Sequence, residues 1–128
     1  MMARKKRPTG LIIATVVIAF AAFITYQAYQ ATIEDPFQTA IAQCLTENGV
    51  AMYGEDSCPF CIQQKRVFGD LTFRRHIEYV ECDKDPAACR AANVESYPTW
   101  VRGEERLTGL RQLGELAEFG DCTDVIQA

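Results

Sequence analysis

Residues 53–69 read YGEDSCPFCIQQKRVFG, and the reading of this stretch decides the fold. A strand-like run, GVAMYG (49–54), leads into it, and an amphipathic helix, PFCIQQKRVF (59–68), follows Cys58. Pro59 suits the first helical position, where its missing N–H would have had no partner. Gly69 marks the stop. With the helix opening at Cys58, that sulfur lies at its positive end, where unpaired N–H groups favour a thiolate. Cys61, three residues on, falls on the same face one turn deeper. The two Cα atoms are then about 5 Å apart, inside the roughly 4.4–6.8 Å that a disulfide spans. Such a pair opens and closes with little backbone movement: the outer sulfur attacks, and the inner one resolves the mixed disulfide.

Three chemistries share this spacing: a redox pair, half of a zinc site, and an inert staple. Zinc takes four Cys or His ligands, often as two close pairs. The next cysteines, in CDKDPAAC (82–89), are too far apart for a second knuckle, and His76 is the one histidine. Beside Arg74 and Arg75, His76 reads as a surface residue at a strand start. No metal is expected, soft Cu(I) on the reduced pair being the outside alternative. Glu55 and Asp56 oppose a thiolate at Cys58 by like charge. Lys65, one turn beyond Cys61, either offsets them or lays its stem over apolar surface; we read it as the second.

Upstream, MMARKKRP carries Arg4, Lys5, Lys6 and Arg7 with no acid, and no charge follows from Gly10 to Ile33. Residues 10–29 amount to about 20 apolar or weakly polar positions, the length a helix needs to cross a ~30 Å hydrocarbon core. Tyr26 and Tyr29 would sit at the far interface, and the basic head (1–9) would stay cytoplasmic. A cleaved signal peptide is the rival, but TYQAYQATIED (25–35) puts Tyr at −3 for cleavage after Ala28 or Ala31. The expectation is an uncleaved single-pass anchor in the inner membrane, a tether at 30–36, and an extracytoplasmic, periplasmic domain over 37–128.

Charge and cysteine use fit that division. Four of the 13 basic residues are in the head, leaving nine against 17 acids beyond residue 30, a net of −8. This excludes a nucleic-acid binder. All six cysteines lie beyond the apolar segment, at a density typical of oxidising compartments.

Within the domain, FQTAIAQCLTENG (37–49) places Phe37, Ile41, Cys44 and Leu45 at helical spacing. VAMY (50–53) and HIEYVEC (76–82) read as strands, DPAACRAAN (85–93) as a short helix, PTWVRG and ERLTGL as a hairpin around Gly103, and LGELAEF (113–119) as a final helix. The order α, β, α, β, α, β, β, α predicts an α/β domain with a central sheet flanked by helices.

At CPFC opening a helix, DKDP after the second strand and YPT (97–99) before the third, the chain resembles the thioredoxin superfamily. More narrowly, AQCLTENGVAMYGEDSCPFC, YVEC, YPTW and the late Cys122 are similar to the thioredoxin-like domain of bacterial and plant vitamin K epoxide reductase homologues. The resemblance implies a thioredoxin-like fold with a mixed sheet and Cys58 and Cys61 as the redox pair. It also implies a cis peptide before Pro98, with Pro98 and its neighbour Tyr97 against the substrate chain. The expected activity is thiol–disulfide exchange with cysteines of exported proteins. The pair would be re-oxidised by a separate membrane disulfide oxidase like a vitamin K epoxide reductase homologue, since one apolar segment cannot form a quinone-binding helix bundle. No cofactor is expected, because the disulfide carries the electrons. Met52 stands where thioredoxin has a buried aspartate, with Glu55 acting through a water as a possible substitute. A periplasmic reductase or isomerase, and a non-enzymatic disulfide-stapled adaptor, remain the alternatives.

With Cys58–Cys61 taken as one pair, three pairings of the other four cysteines remain, and we favour the one that makes Cys82–Cys89 and Cys44–Cys122 structural disulfides. Cys82–Cys89 would close a short local loop, and Cys44–Cys122 would tie the domain ends, contributing roughly 4 kcal/mol on the chain-entropy model. The functional alternative makes Cys82–Cys89 a second redox relay.

Overall fold

In the computed structural model, residues 9–128 are described, with the side chains of 30–32 excepted; the basic head lies outside this range. The chain divides into two units, one ending at Ile33 and the other running from Glu34 to Ala128.

Among its described residues, the first unit holds one helix, α1 (Thr9–Thr32). Its span Thr9–Tyr29 is long and apolar enough to cross a membrane, with a mean hydropathy of 2.2 and no burial within the unit. The hydroxyls of Thr15 and Thr25 donate to the carbonyls of Ile12 and Ala22, so these polar groups are satisfied within the helix. Residues assigned to the tether are helical as far as Thr32, while Glu34 and Pro36 belong to the second unit.

The second unit begins with α2 (Pro36–Glu47), capped by the Asp35 carboxylate accepting from the Gln38 N–H at 2.9 Å. Ile41 and Leu45 are fully buried as their spacing predicts, but Phe37, in the first turn, is 45% exposed. β1 (Val50–Gly54) follows, then α3 (Pro59–Phe68). A second helical segment, which the sequence pattern does not announce, follows directly. Gly69 takes φ +80°, a conformation that breaks the helix, and α4 (Asp70–His76) starts at once. His76 is therefore the last residue of α4, not the start of a strand, and its ring nitrogen lies 3.4 Å from the Glu34 carboxylate.

β2 (Glu78–Glu81) lies parallel to β1. After α5 (Pro86–Ala91) come β3 (Thr99–Arg102) and β4 (Glu105–Thr108), an antiparallel hairpin whose first strand is antiparallel to β1. α6 (Leu113–Phe119) matches the expected helix, and a short α7 (Thr123–Gln127), for which the sequence shows no helical period, follows it. The strand order is β2-β1-β3-β4, with β1 inside the sheet. This is an α/β arrangement with a mixed four-stranded sheet flanked by helices, as the order of elements predicts.

Register decides which side chains meet. Met52 pairs with Tyr79 on one side and Trp100 on the other, and Trp100 pairs with Leu107, so these four share a face. Against this face pack Ile41 and Leu45 of α2, Cys61 and Phe68 of α3, Phe73 of α4 and Leu116 of α6. Phe68 sits 5.9 Å from Trp100 and 6.3 Å from Phe73, ring to ring. The opposite face carries Ala51, Val101 and Arg106. The Arg106 guanidinium reaches over to donate to the Ala92 carbonyl at the end of α5, at 2.7 Å.

Candidate active site

The site forms where β1 ends and α3 begins. Cys58 is the N-cap of α3, with extended φ and ψ of −74° and 122°, and Pro59 occupies the first helical position. The Cys58 N–H donates to the Glu55 carbonyl at 3.1 Å, and the Cys58 carbonyl accepts from the Ile62 N–H at 3.0 Å. The side chain makes no capping hydrogen bond, so the sulfur is left to face outward, half-buried. Cys61 is fully buried one turn further along the same face. Both are thiols.

A carbon at Gly54 would come within 2.7 Å of the Cys61 sulfur, so the end of β1 must lack a side chain for α3 to lie this close. Burial pushes the Cys61 thiol up to about 12; the Cys58 sulfur adds to this, whereas the Glu55 backbone and the Lys65 ammonium oppose it.

The second component of the site arrives from 39 residues downstream. The Cys58 thiol points at the Tyr97 carbonyl, 3.9 Å away. The Tyr97–Pro98 peptide is cis, and Pro98 is buried. This loop is held by its own bonds: the Thr99 hydroxyl donates to the Ser96 carbonyl at 2.7 Å, and the Gly109 N–H donates to the Pro98 carbonyl at 2.8 Å. Desolvation raises the pKa of the Tyr97 phenol, followed by the charge of Glu55 and a hydrogen bond to that carboxylate. Phe60, between the two cysteines in sequence, is an apolar side chain left 58% exposed.

Met52 is fully buried in the core, so the strand position behind Cys61 offers no acid. A polar network instead flanks α3 from the β2 side. Lys65 does more than cover apolar surface. Its ammonium lies 2.6 Å from the Asp56 carboxylate and 4.0 Å above the centre of the Tyr79 ring. The Glu81 carboxylate accepts from the Asp56 N–H at 2.7 Å and from the Tyr79 hydroxyl at 3.0 Å. Lys65 holds the Asp56 carboxyl down to about 2, with the Glu81 and Tyr79 contacts assisting. Tyr79 is pushed upward by burial and then by Glu81. These groups line a groove of about 740 Å³ beside the helix, together with Phe73, Ile77 and Lys84.

Gln64 is a structural residue that no sequence pattern announced. It is fully buried, and its amide clamps the backbone of Arg111: Nε2 donates to the carbonyl at 2.9 Å, and Oε1 accepts from the N–H at 2.7 Å. The other four cysteines stand apart from the outer thiol as disulfides. Cys44–Cys122 joins α2 to the start of α7, and Cys82–Cys89 joins the end of β2 to α5. Cys82 and Cys89 are each only 4% exposed.

No family model matches the chain. It is similar to the thiol-disulfide oxidoreductase LTO1 of Arabidopsis thaliana, 36% identical over 92 residues, which make up 66% of this chain and 24% of that protein. The chain thus spans about a quarter of the length of this relative. Among solved structures it is similar to oxidized glutaredoxin 2 from Chlamydomonas reinhardtii, with 18% identity and a TM-score of 0.39, covering 69% of this chain and 91% of that one.

Proposed function

We propose that this protein is a membrane-anchored thiol–disulfide oxidoreductase whose Cys58–Cys61 disulfide is passed to cysteines of exported proteins. The observation that carries the reading is the asymmetry of the pair. Cys58 caps α3, half-buried and facing the Tyr97 carbonyl, while Cys61 is sealed one turn inward. In the oxidising direction a substrate thiolate attacks the Cys58 sulfur, and Cys61 leaves as a thiolate. A second substrate thiolate then attacks the substrate sulfur of that mixed disulfide, releasing Cys58. Two electrons and two protons end on the pair. The extended backbone of the substrate lies along the Tyr97–Pro98 loop.

Similarity to a protein named as a thiol-disulfide oxidoreductase supports the chemistry. The α1 span supports an anchor, with the basic head cytoplasmic and the second unit outside, on the periplasmic side of the inner membrane. The pair is then re-oxidised by a separate, quinone-linked membrane oxidase of the vitamin K epoxide reductase homologue type, the partner suggested by the resemblance of residues 37–122.

Two measurements test this. Cys61→Ala in the full chain should accumulate mixed disulfides with exported proteins, and Cys58→Ala should trap none. Trapping by neither variant, with partner binding intact, would leave a stapled adaptor instead. The potential of the pair against glutathione should lie between about −120 and −180 mV; a value near −250 mV reverses the direction to that of a reductase.

A further inference from the structure

Burial of Cys61 raises a problem for any exchange through this pair. Both directions pass through its thiolate, which leaves when Cys58 is attacked and attacks when the mixed disulfide is resolved. β1 supplies no charged group for it, since Met52 and Gly54 are the residues beneath. Glu55 acts on it through a backbone hydrogen bond.

We propose that Lys65 is the positioning residue of the pair, holding negative charge on the Cys61 sulfur while Cys58 is joined to substrate. The inference rests on the exchange reading above, and it applies in either direction of electron flow. Lys65 follows Cys61 by four positions, so their side chains share one stripe of α3. The ammonium does not run out to solvent. Asp56, two residues before Cys58, draws it back toward the mouth of the helix, and the Tyr79 ring supports it from β2.

Asp56 is in turn fixed by its N–H to Glu81, which faces Gly54 in the sheet register. The site is therefore built from three elements onto the sheet position against which Cys61 rests. With its side chain 20% exposed, Lys65 acts through a medium less polar than water, whereas Asp56, at 58%, is largely solvated and shares its second oxygen with Lys84 at 3.7 Å. The titratable groups facing Cys61 are Cys58 and Lys65 from α3, Tyr79 from β2 and Tyr97 from the cis-proline loop. Of these, Lys65 alone is a cation, and its field favours the Cys61 thiolate against burial.

The test is single-turnover reaction of the reduced full chain with an aromatic disulfide that releases a coloured thiolate. Cys58 attacks first and releases one equivalent. Cys61 then gives its proton to water, attacks the Cys58 sulfur and expels the second equivalent. Lys65→Met keeps the stem and removes the charge. The second release should slow by about tenfold, one unit of thiolate stability, across about three pH units around neutrality. The first release should change less than about twofold, and Lys65→Arg should restore most of the second. Equal slowing of both phases, or no slowing of the second, overturns the role of Lys65. If Lys65→Met does not fold, Lys65→Gln serves for the same comparison. A wild-type chain that releases only one equivalent would instead sink the exchange reading itself.

Discussion

The Cys61 sulfur lies against the bare Cα of Gly54, where an added methyl carbon would come within 2.7 Å of it. No real side chain tolerates that approach, and both neighbours are fixed: Gly54 by its pairing with Glu81 in the sheet, Cys61 by complete burial. Gly54→Ala should therefore force α3 outward, costing about 1–3 kcal/mol in denaturant unfolding and slowing the step that uses Cys61 more than the step that uses Cys58. Unchanged stability with unchanged exchange would show that the helix gives way freely.

Alkaline pH should weaken the reduced protein through Cys61. Its folded pKa is raised from 9.0 to about 12, so the folded state keeps a proton that the unfolded state loses. The stability linked to this group is fully present below pH 9 and declines as pH rises toward 12. Unfolding free energies from urea titrations at neutral pH and at about pH 10.5 should differ by roughly 1–2 kcal/mol more in the reduced wild type than in Cys61→Ala. Identical pH dependence in the two would mean the thiol is not the group responsible.

Gln64 should behave as a core residue although it is polar. Gln64→Leu leaves the N–H and carbonyl of Arg111 without their partners in a part-buried position. The expected loss is about 1–3 kcal/mol, read as a lower thermal midpoint with the disulfides intact. A neutral effect would indicate that water replaces the clamp.

The two structural disulfides should differ in what their removal costs. Cys44–Cys122 spans 78 residues of sequence and Cys82–Cys89 only 7. On the chain-entropy account, a Cys44→Ala/Cys122→Ala double variant loses about 4 kcal/mol and the Cys82→Ala/Cys89→Ala variant about 2–3 kcal/mol. Chemical denaturation of each checks the order. Complete retention of exchange activity in the second variant would also argue against a relay through Cys82 and Cys89.

Legibility along the chain followed the range of the interactions involved. The helix Pro59–Phe68 could be read because its start is written in Cys58-Pro59 and its end in Gly69, all local signals. The hairpin around Gly103 and the helix Leu113–Phe119 were readable for the same reason. The helix Asp70–His76 was not, because seven residues make under two turns and DLTFRRH shows too little period to register. What makes it helical is burial of Thr72 and Phe73 against neighbours distant in sequence. Phe37 misleads in the opposite way: it stands at core spacing, yet in the first turn of its helix it is left exposed.

By itself, the sequence determined those features set by separations of a few residues. They are the cap position of Cys58, the depth of Cys61 one turn inward, and an apolar helix long enough to span a membrane. The tertiary structure alone decided that the Tyr97 carbonyl meets Cys58 from 39 residues away and that Gln64 clamps Arg111 from 47. It also decided that the Lys65 ammonium turns back onto Asp56 and Tyr79. Each of these depends on β1 lying inside the sheet, between β2 and β3, an outcome set by the summed packing of the whole domain, which no short window of residues encodes.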